Sequence, residues 1–122
     1  MAEDNILVVD DEVDVTKMIS ARLKKAGYNV HSVLSGKEAI DYVKTNRPDL
    51  ILLDVLMPNM DGYQALKKLK EEESTKSIPV IMLTAKGQVE DVTRAANLGA
   101  FDYIVKPFSP VTLLEKIHKA LE

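Results

Sequence analysis

The sequence predicts an α/β domain: an open, five-stranded parallel sheet in the order 2-1-3-4-5, set between helices as a three-layer (βα)5 sandwich. Three observations predict it. Short apolar runs alternate with longer amphipathic ones through a chain of 122 residues. Several of the short runs are continuously apolar, the mark of strands buried on both faces. The longer runs carry helix start and stop residues. Strict β/α alternation implies parallel strands joined by right-handed crossovers, and 2-1-3-4-5 is the commoner order for five of them.

The strands are expected at Ile6–Val9, Tyr28–Val33, Leu50–Leu53, Val80–Leu83 and Tyr103–Val105. In the first helix Val15, Ile19, Leu23 and Ala26 line one face, and Gly27 suits a left-handed cap. Ser35 and Glu38 form a capping box for the second, whose buried stripe is Ala39, Ile40 and Val43 before Pro48 stops it. The third runs from Gly62 to about Glu72, with Ala65, Leu66 and Leu69 inward and Lys67, Lys68 and Lys70 outward. Val89, Val92, Ala96 and Gly99 mark the fourth helix and its stop. Ser109-Pro110 opens the fifth as N-cap and first helical residue, with Leu113, Leu114, Ile117 and Leu121 buried.

Composition narrows the functions. The chain has no cysteine, which excludes a disulfide scaffold, a thiol nucleophile and Cys-based metal sites. A net charge of −3 argues against nonspecific nucleic-acid binding, which needs clustered Lys and Arg. No apolar run approaches the roughly 20 residues of a membrane span, and no signal peptide is evident, so a cytoplasmic location is expected. His31 and His118 lie away from the strand ends where sites form and are assigned no chemistry.

In an open parallel sheet, sites form at the carboxyl ends of the strands. There the chain places Asp10, Asp11 and Glu12 after strand 1, Asp54 after strand 3, Thr84 after strand 4, and Lys106-Pro107 after strand 5. Acidic residues after a strand are common helix caps, and Glu12 and Asp14 are read as serving the helix dipole only. The remaining set is harder to explain structurally. Crowded carboxylates repel unless a cation joins them. An oxygen-only cluster suits a hard ion such as Mg²⁺. Asp54, held at the end of Leu50-Ile51-Leu52-Leu53, can then act as a nucleophile toward phosphorus. Thr84 and Lys106 can hold the other phosphoryl oxygens.

These residues stand in motifs: Val8-Val9-Asp10-Asp11-Glu12, Asp49-Leu50-Ile51-Leu52-Leu53-Asp54, Met57-Pro58-Asn59-Met60-Asp61-Gly62, Val80-Ile81-Met82-Leu83-Thr84-Ala85 and Gly99-Ala100…Lys106-Pro107-Phe108. In order and spacing, from about Asn5 to the C-terminus, the chain resembles the CheY-like receiver domain of two-component response regulators, a flavodoxin-like fold. The resemblance implies that Asp54 accepts a phosphoryl group from a histidine kinase or a histidine phosphotransfer protein. It implies that Asp11 ligates Mg²⁺ directly and Asp10 through water, with Asp54 and the Leu56 backbone carbonyl completing the protein ligands and Mn²⁺ as a substitute ion. Thr84 and Lys106 would contact the phosphoryl oxygens. Tyr103 matches the family's switch aromatic, which turns inward as Thr84 moves. Pro107 stands where receivers commonly have a cis peptide, and Pro58 and Gly62 shape the loop.

Two further positions, Leu56 and Lys86, match those that tune acyl-phosphate hydrolysis in the family. An apolar Leu56 cannot align water, so slow self-dephosphorylation is expected. The moving element would be Ala85-Lys86-Gly87-Gln88 with Tyr103. The readout would be the face of helix 4, strand 5 and helix 5, binding a protein target or a second copy. The expectation is therefore a single receiver domain over 1–122 with no output domain, acting by contact and not as an enzyme. The alternative is a receiver module excised from a larger regulator or hybrid kinase. A flavodoxin-like flavin-binding module is more remote, because Asp10-Asp11-Glu12 would repel a phosphate without metal. A true phosphohydrolase would need a second acid/base group that Val55-Leu56-Met57 does not offer.

Overall fold

The computed structural model describes residues 4–55, 57, 60–85 and 89–122. Its elements are β1 (Asn5–Val9), α1 (Val13–Lys25), β2 (Asn29–Val33), α2 (Gly36–Val43), β3 (Leu50–Asp54), α3 (Gly62–Glu71), β4 (Val80–Ala85), α4 (Val89–Asn97), β5 (Asp102–Lys106) and α5 (Pro110–Ala120). The strands are parallel, as the alternation predicts, and stand in the expected order β2-β1-β3-β4-β5.

Successive side chains of a strand point to opposite faces, so the central strands feed two cores. Ile6, Val8, Leu50 and Leu52 pack with Ile19 and Leu23 of α1 and Leu113 and Ile117 of α5. Leu7, Val9, Ile51 and Leu53 pack with Ala39 of α2, Ala65, Leu66 and Leu69 of α3, and Ala95 of α4. These are the outer layers of the sandwich. β2 is an edge strand, and His31 on it is exposed with its ring stacked on Tyr42 at 4.3 Å between centroids.

The helix ends follow the residues expected to make them. Gly27 has φ +98° after α1, and the Tyr28 N–H donates to the Leu23 carbonyl at 3.0 Å, the bond that closes a helix around a left-handed glycine. Ser35 Oγ accepts the Glu38 N–H at 3.1 Å, and Ser109 Oγ accepts the Thr112 N–H at 3.1 Å. The capping box at α2 differs in one partner. Glu38 accepts from the Leu34 N–H, at 2.8 Å, because its longer arm reaches the residue preceding the cap. The reciprocal box stands instead at α3, between Asp61 and Gln64.

Three inward or outward assignments change. Ala26 is exposed, because it closes α1 as C-cap and Tyr28 packs into the core in its place. Of the two adjacent alanines in α4, Ala95 is buried and Ala96 exposed, and Leu98 three residues beyond Ala95 continues its contact with the core. Lys70 does not point freely outward: its ammonium donates to the carbonyls of Lys76 and Ile78 at 3.1 and 2.9 Å. That holds the connection into β4, and burial lowers the pKa of Lys70. The side chains of Val89 and Val92 lie outside the described residues.

Candidate functional site at the carboxyl edge of the sheet

β1 ends at Val9 and α1 begins at Val13, so Asp10, Asp11 and Glu12 fill the turn above the sheet edge. Asp10 is completely buried. Its Oδ1 accepts the Glu12 N–H at 3.0 Å and its Oδ2 accepts the Lys106 ammonium at 2.7 Å. Asp54 is the last residue of β3, pairs in register with Leu83 and is 6% exposed. Lys106 closes β5 beside Ala85 and reaches Asp54 Oδ1 at 3.3 Å and Glu12 Oε1 at 3.7 Å. The Lys106–Pro107 peptide is cis, as expected. Thr84, on β4 between these strands, is buried, and its hydroxyl has no hydrogen-bond partner among the described residues.

The loop after Asp54 is held from below. The Gly62 N–H donates to the Val55 carbonyl at 2.8 Å, and the Val55 N–H to the Leu83 carbonyl at 3.1 Å. A Cβ on Gly62 would strike the carbonyl oxygen of Asp54, so only glycine lets α3 start this close to the strand end.

The charges perturb one another. Burial first, then the neighbouring Asp10 carboxylate, pushes the Asp54 pKa up to about 6, although Lys106 acts against the rise. Burial works against the Lys106 ammonium too, but its hydrogen bond to Asp10 and the charges of Asp54 and Asp10 outweigh it and raise its pKa. A buried acid held near neutrality beside a cation is a functional-site signature.

The fold thus brings Asp10, Asp54 and Lys106 into direct contact and sets Thr84 at the same edge. Asp11 is exposed, yet one of its carboxylate oxygens lies within 4.8 Å of oxygens of Asp10 and Glu12. Glu12 does more than serve the helix dipole. It stands at the N-cap of α1 but its side chain makes no capping bond; it belongs to the acidic group instead. Its adjacency to Asp10-Asp11 was the available signal. Tyr103 is half-buried on β5. Leu56, Pro58, Lys86, Gly87 and Gln88 lie outside the described residues.

The donor set fits a hard divalent cation: oxygen ligands only, clustered and partly uncompensated. Asp10 has both oxygens engaged within the protein, whereas exposed Asp11 is open to an ion from solvent.

Known proteins resemble the chain in sequence and in fold. A family model described as the response regulator receiver domain matches residues 6–118. The protein named probable transcriptional regulator ycf27 from Porphyridium aerugineum is 42% identical, over 99% of this chain and 49% of its own length. The phosphate regulon transcriptional regulatory protein PhoB of Pseudomonas aeruginosa is 40% identical, over 99% of this chain and 53% of its own. The chain thus spans about half the length of the curated relatives it matches. Among solved structures, the Vibrio cholerae chemotaxis protein CheY4 superposes with a TM-score of 0.93 at 35% identity, over 98% of this chain and all (100%) of that one. The receiver domain of a signal transduction histidine kinase from Syntrophus aciditrophicus gives 0.90 at 38%, over 97% and 89%.

Proposed function

This chain belongs to the response regulator receiver domains, the phosphoacceptor switches of two-component signalling, and on that footing we propose that Asp54 is its phosphoacceptor and Lys106 and Thr84 its phosphoryl-binding groups. The observation that carries the reading is the Lys106 ammonium shared between Asp10 and Asp54 at 2.7 and 3.3 Å, beside a buried Thr84 hydroxyl without a partner among the described residues. Receiver domains act in general as signalling phosphoacceptors and not as enzymes.

In the proposed step an Asp54 carboxylate oxygen attacks the phosphorus of a phosphohistidine. The P–N bond breaks, its electron pair returns to the imidazole, and an aspartyl phosphate remains. Lys106 already touches Asp54, so its ammonium can follow the negative charge from the carboxylate onto the phosphoryl oxygens. The Thr84 hydroxyl gains an acceptor there, which its resting environment does not supply among the described residues. A Mg²⁺ or Mn²⁺ ion held by Asp11, Asp54 and the Leu56 carbonyl, with Asp10 behind water, would neutralise the acidic cluster and the incoming oxygens. Asp10's full engagement supports its water-mediated part.

Added charge of about −1.5 to −2 then biases the segment after β4 together with Tyr103, and the face of α4, β5 and α5 presents the result to a protein target or a second copy. The donor would be a sensor histidine kinase or a histidine phosphotransfer protein. No described helix is long and apolar enough to cross a membrane. We read residues 1–122 as one receiver domain. A second reading, the same module carried within a longer regulator or hybrid kinase, is favoured by the half-length coverage of the curated relatives. Leu56 keeps its proposed part in slowing hydrolysis, with Lys86 as its companion.

The test is intact-mass measurement after incubation with acetyl phosphate and Mg²⁺. The wild type is expected to gain one phosphoryl group and Asp54→Asn none; equal labelling of the two overturns the assignment.

A further inference from the structure

Lys116 makes an unusual reach. It rises from α5, whose Leu113 and Ile117 pack on one face of the sheet, while Tyr103 packs against the core on the other. The side chain therefore rounds the β5 edge. There its Nζ donates to the Tyr103 carbonyl at 2.7 Å and to Asp102 Oδ1 at 3.1 Å, and lies 4.7 Å from the centroid of the Tyr103 ring. Asp102 Oδ1 also accepts the Tyr103 N–H at 2.7 Å. Both backbone polar groups of Tyr103 and its ring face are thus held by two side chains that bind each other.

The register gives this clamp a consequence. Tyr103 pairs with Met82 and Val105 with Thr84, so Tyr103 and Thr84 share a sheet face, two positions apart on neighbouring strands. A ring moving from the β5 edge toward Thr84 on β4 must leave the ammonium, which its bonds to Asp102 and the Tyr103 carbonyl keep at the edge. We infer that Lys116 is a positioning residue that holds the Tyr103 ring at the β5 edge and so favours the resting state of the switch. This rests on the phosphoacceptor reading above and adds to it a side chain outside the phosphoryl site that sets the resting balance. A part-buried cation–π contact of this kind is worth a small factor in such a balance, enough to tune it without locking it.

The chain has four tyrosines and no tryptophan, so uniform labelling with 3-fluorotyrosine gives a small set of ¹⁹F resonances, with Tyr103 assigned by Tyr103→Phe. Lys116→Met removes the charge and keeps the stem; Lys116→Arg keeps the charge. In Lys116→Met without activator, the Tyr103 resonance is expected to move part-way toward its position in wild type saturated with Mg²⁺ and beryllofluoride. Its labelling rate with acetyl phosphate is expected to rise about threefold, the factor such a contact can supply. Lys116→Arg is expected to keep the wild-type resonance and rate. A wild type that labels on Asp54 while Lys116→Met leaves the resonance unmoved overturns the clamp alone. A wild type that takes up no phosphoryl group overturns the phosphoacceptor reading and the clamp's regulatory meaning with it.

Discussion

Lys106 and Asp10, 96 positions apart in the chain, meet at 2.7 Å at the rim of the sheet. Asp10 is fully buried, and removing the cation leaves an ionised carboxylate unpaired in the interior. Breaking such a pair typically costs about 3–5 kcal/mol. Lys106→Met is therefore expected to be markedly less stable than wild type in EDTA, with much of the loss restored by millimolar Mg²⁺ at the acidic cluster. Urea melts in the two conditions read this directly. A variant as stable as wild type in EDTA would refute the pairing.

Asp54 carries the opposite sign. Its carboxyl is raised from 3.8 to about 6, burial being the main cause, so between these pH values the folded state holds a proton the unfolded chain has lost. Stability without metal must then fall as pH rises through this window, by an amount on the order of 3 kcal/mol for the full shift. Asp54→Asn cannot ionise and escapes that loss. The two proteins are expected to match in stability near the bottom of the window and diverge above its top, the variant being the more stable. Metal-free denaturation curves at several pH values check it, and a difference independent of pH would contradict it.

The buried hydroxyl of Thr84, without a partner among the described residues, separates stability from function. Removing a buried hydroxyl that finds no hydrogen-bond partner among the described residues relieves a desolvation cost, so Thr84→Val is expected to be unchanged or more stable by about 1 kcal/mol. Its affinity for beryllofluoride, where the hydroxyl would find its acceptor, is expected to fall. A variant that loses stability and keeps its affinity would reverse both assignments.

Gly62 tests the support beneath the phosphoacceptor. Gly62→Ala drives a methyl group into the Asp54 carbonyl and crowds Val55 Cα. Overpacking against backbone of this kind costs about 1–3 kcal/mol. Both thermal stability and the rate of labelling by acetyl phosphate should drop, because the strand end that carries the nucleophile must shift. A wild-type labelling rate would show that the loop yields without moving Asp54.

Some of this was legible in the chain before any fold was known. Ser35, Gly27 and Ser109-Pro110 place helix ends because capping depends on a few adjacent residues. Asp10, Asp54, Thr84 and Lys106 were identifiable because a parallel sheet gathers whatever follows its strands. Other features resisted. Lys70 and Glu12 have long arms whose destinations depend on other segments, the carbonyls of Lys76 and Ile78 for one and Lys106 for the other. The choice between Ala95 and Ala96 turned on the phase of α4 against the sheet, which two similar small residues do not reveal.

By itself the sequence determined the alternation of strands and helices and the residues that follow each strand, because hydrophobic period and capping are short-range. The order of the sheet was only the commoner choice until distant strands paired. Only the tertiary structure decided how those residues engage. Lys106 sits closer to Asp10 than to Asp54, Thr84 is left without a described partner, and Lys116 crosses a strand edge to hold Tyr103. Those outcomes follow from register, side-chain reach and the cost of burying charge, which exist only once distant segments are packed together.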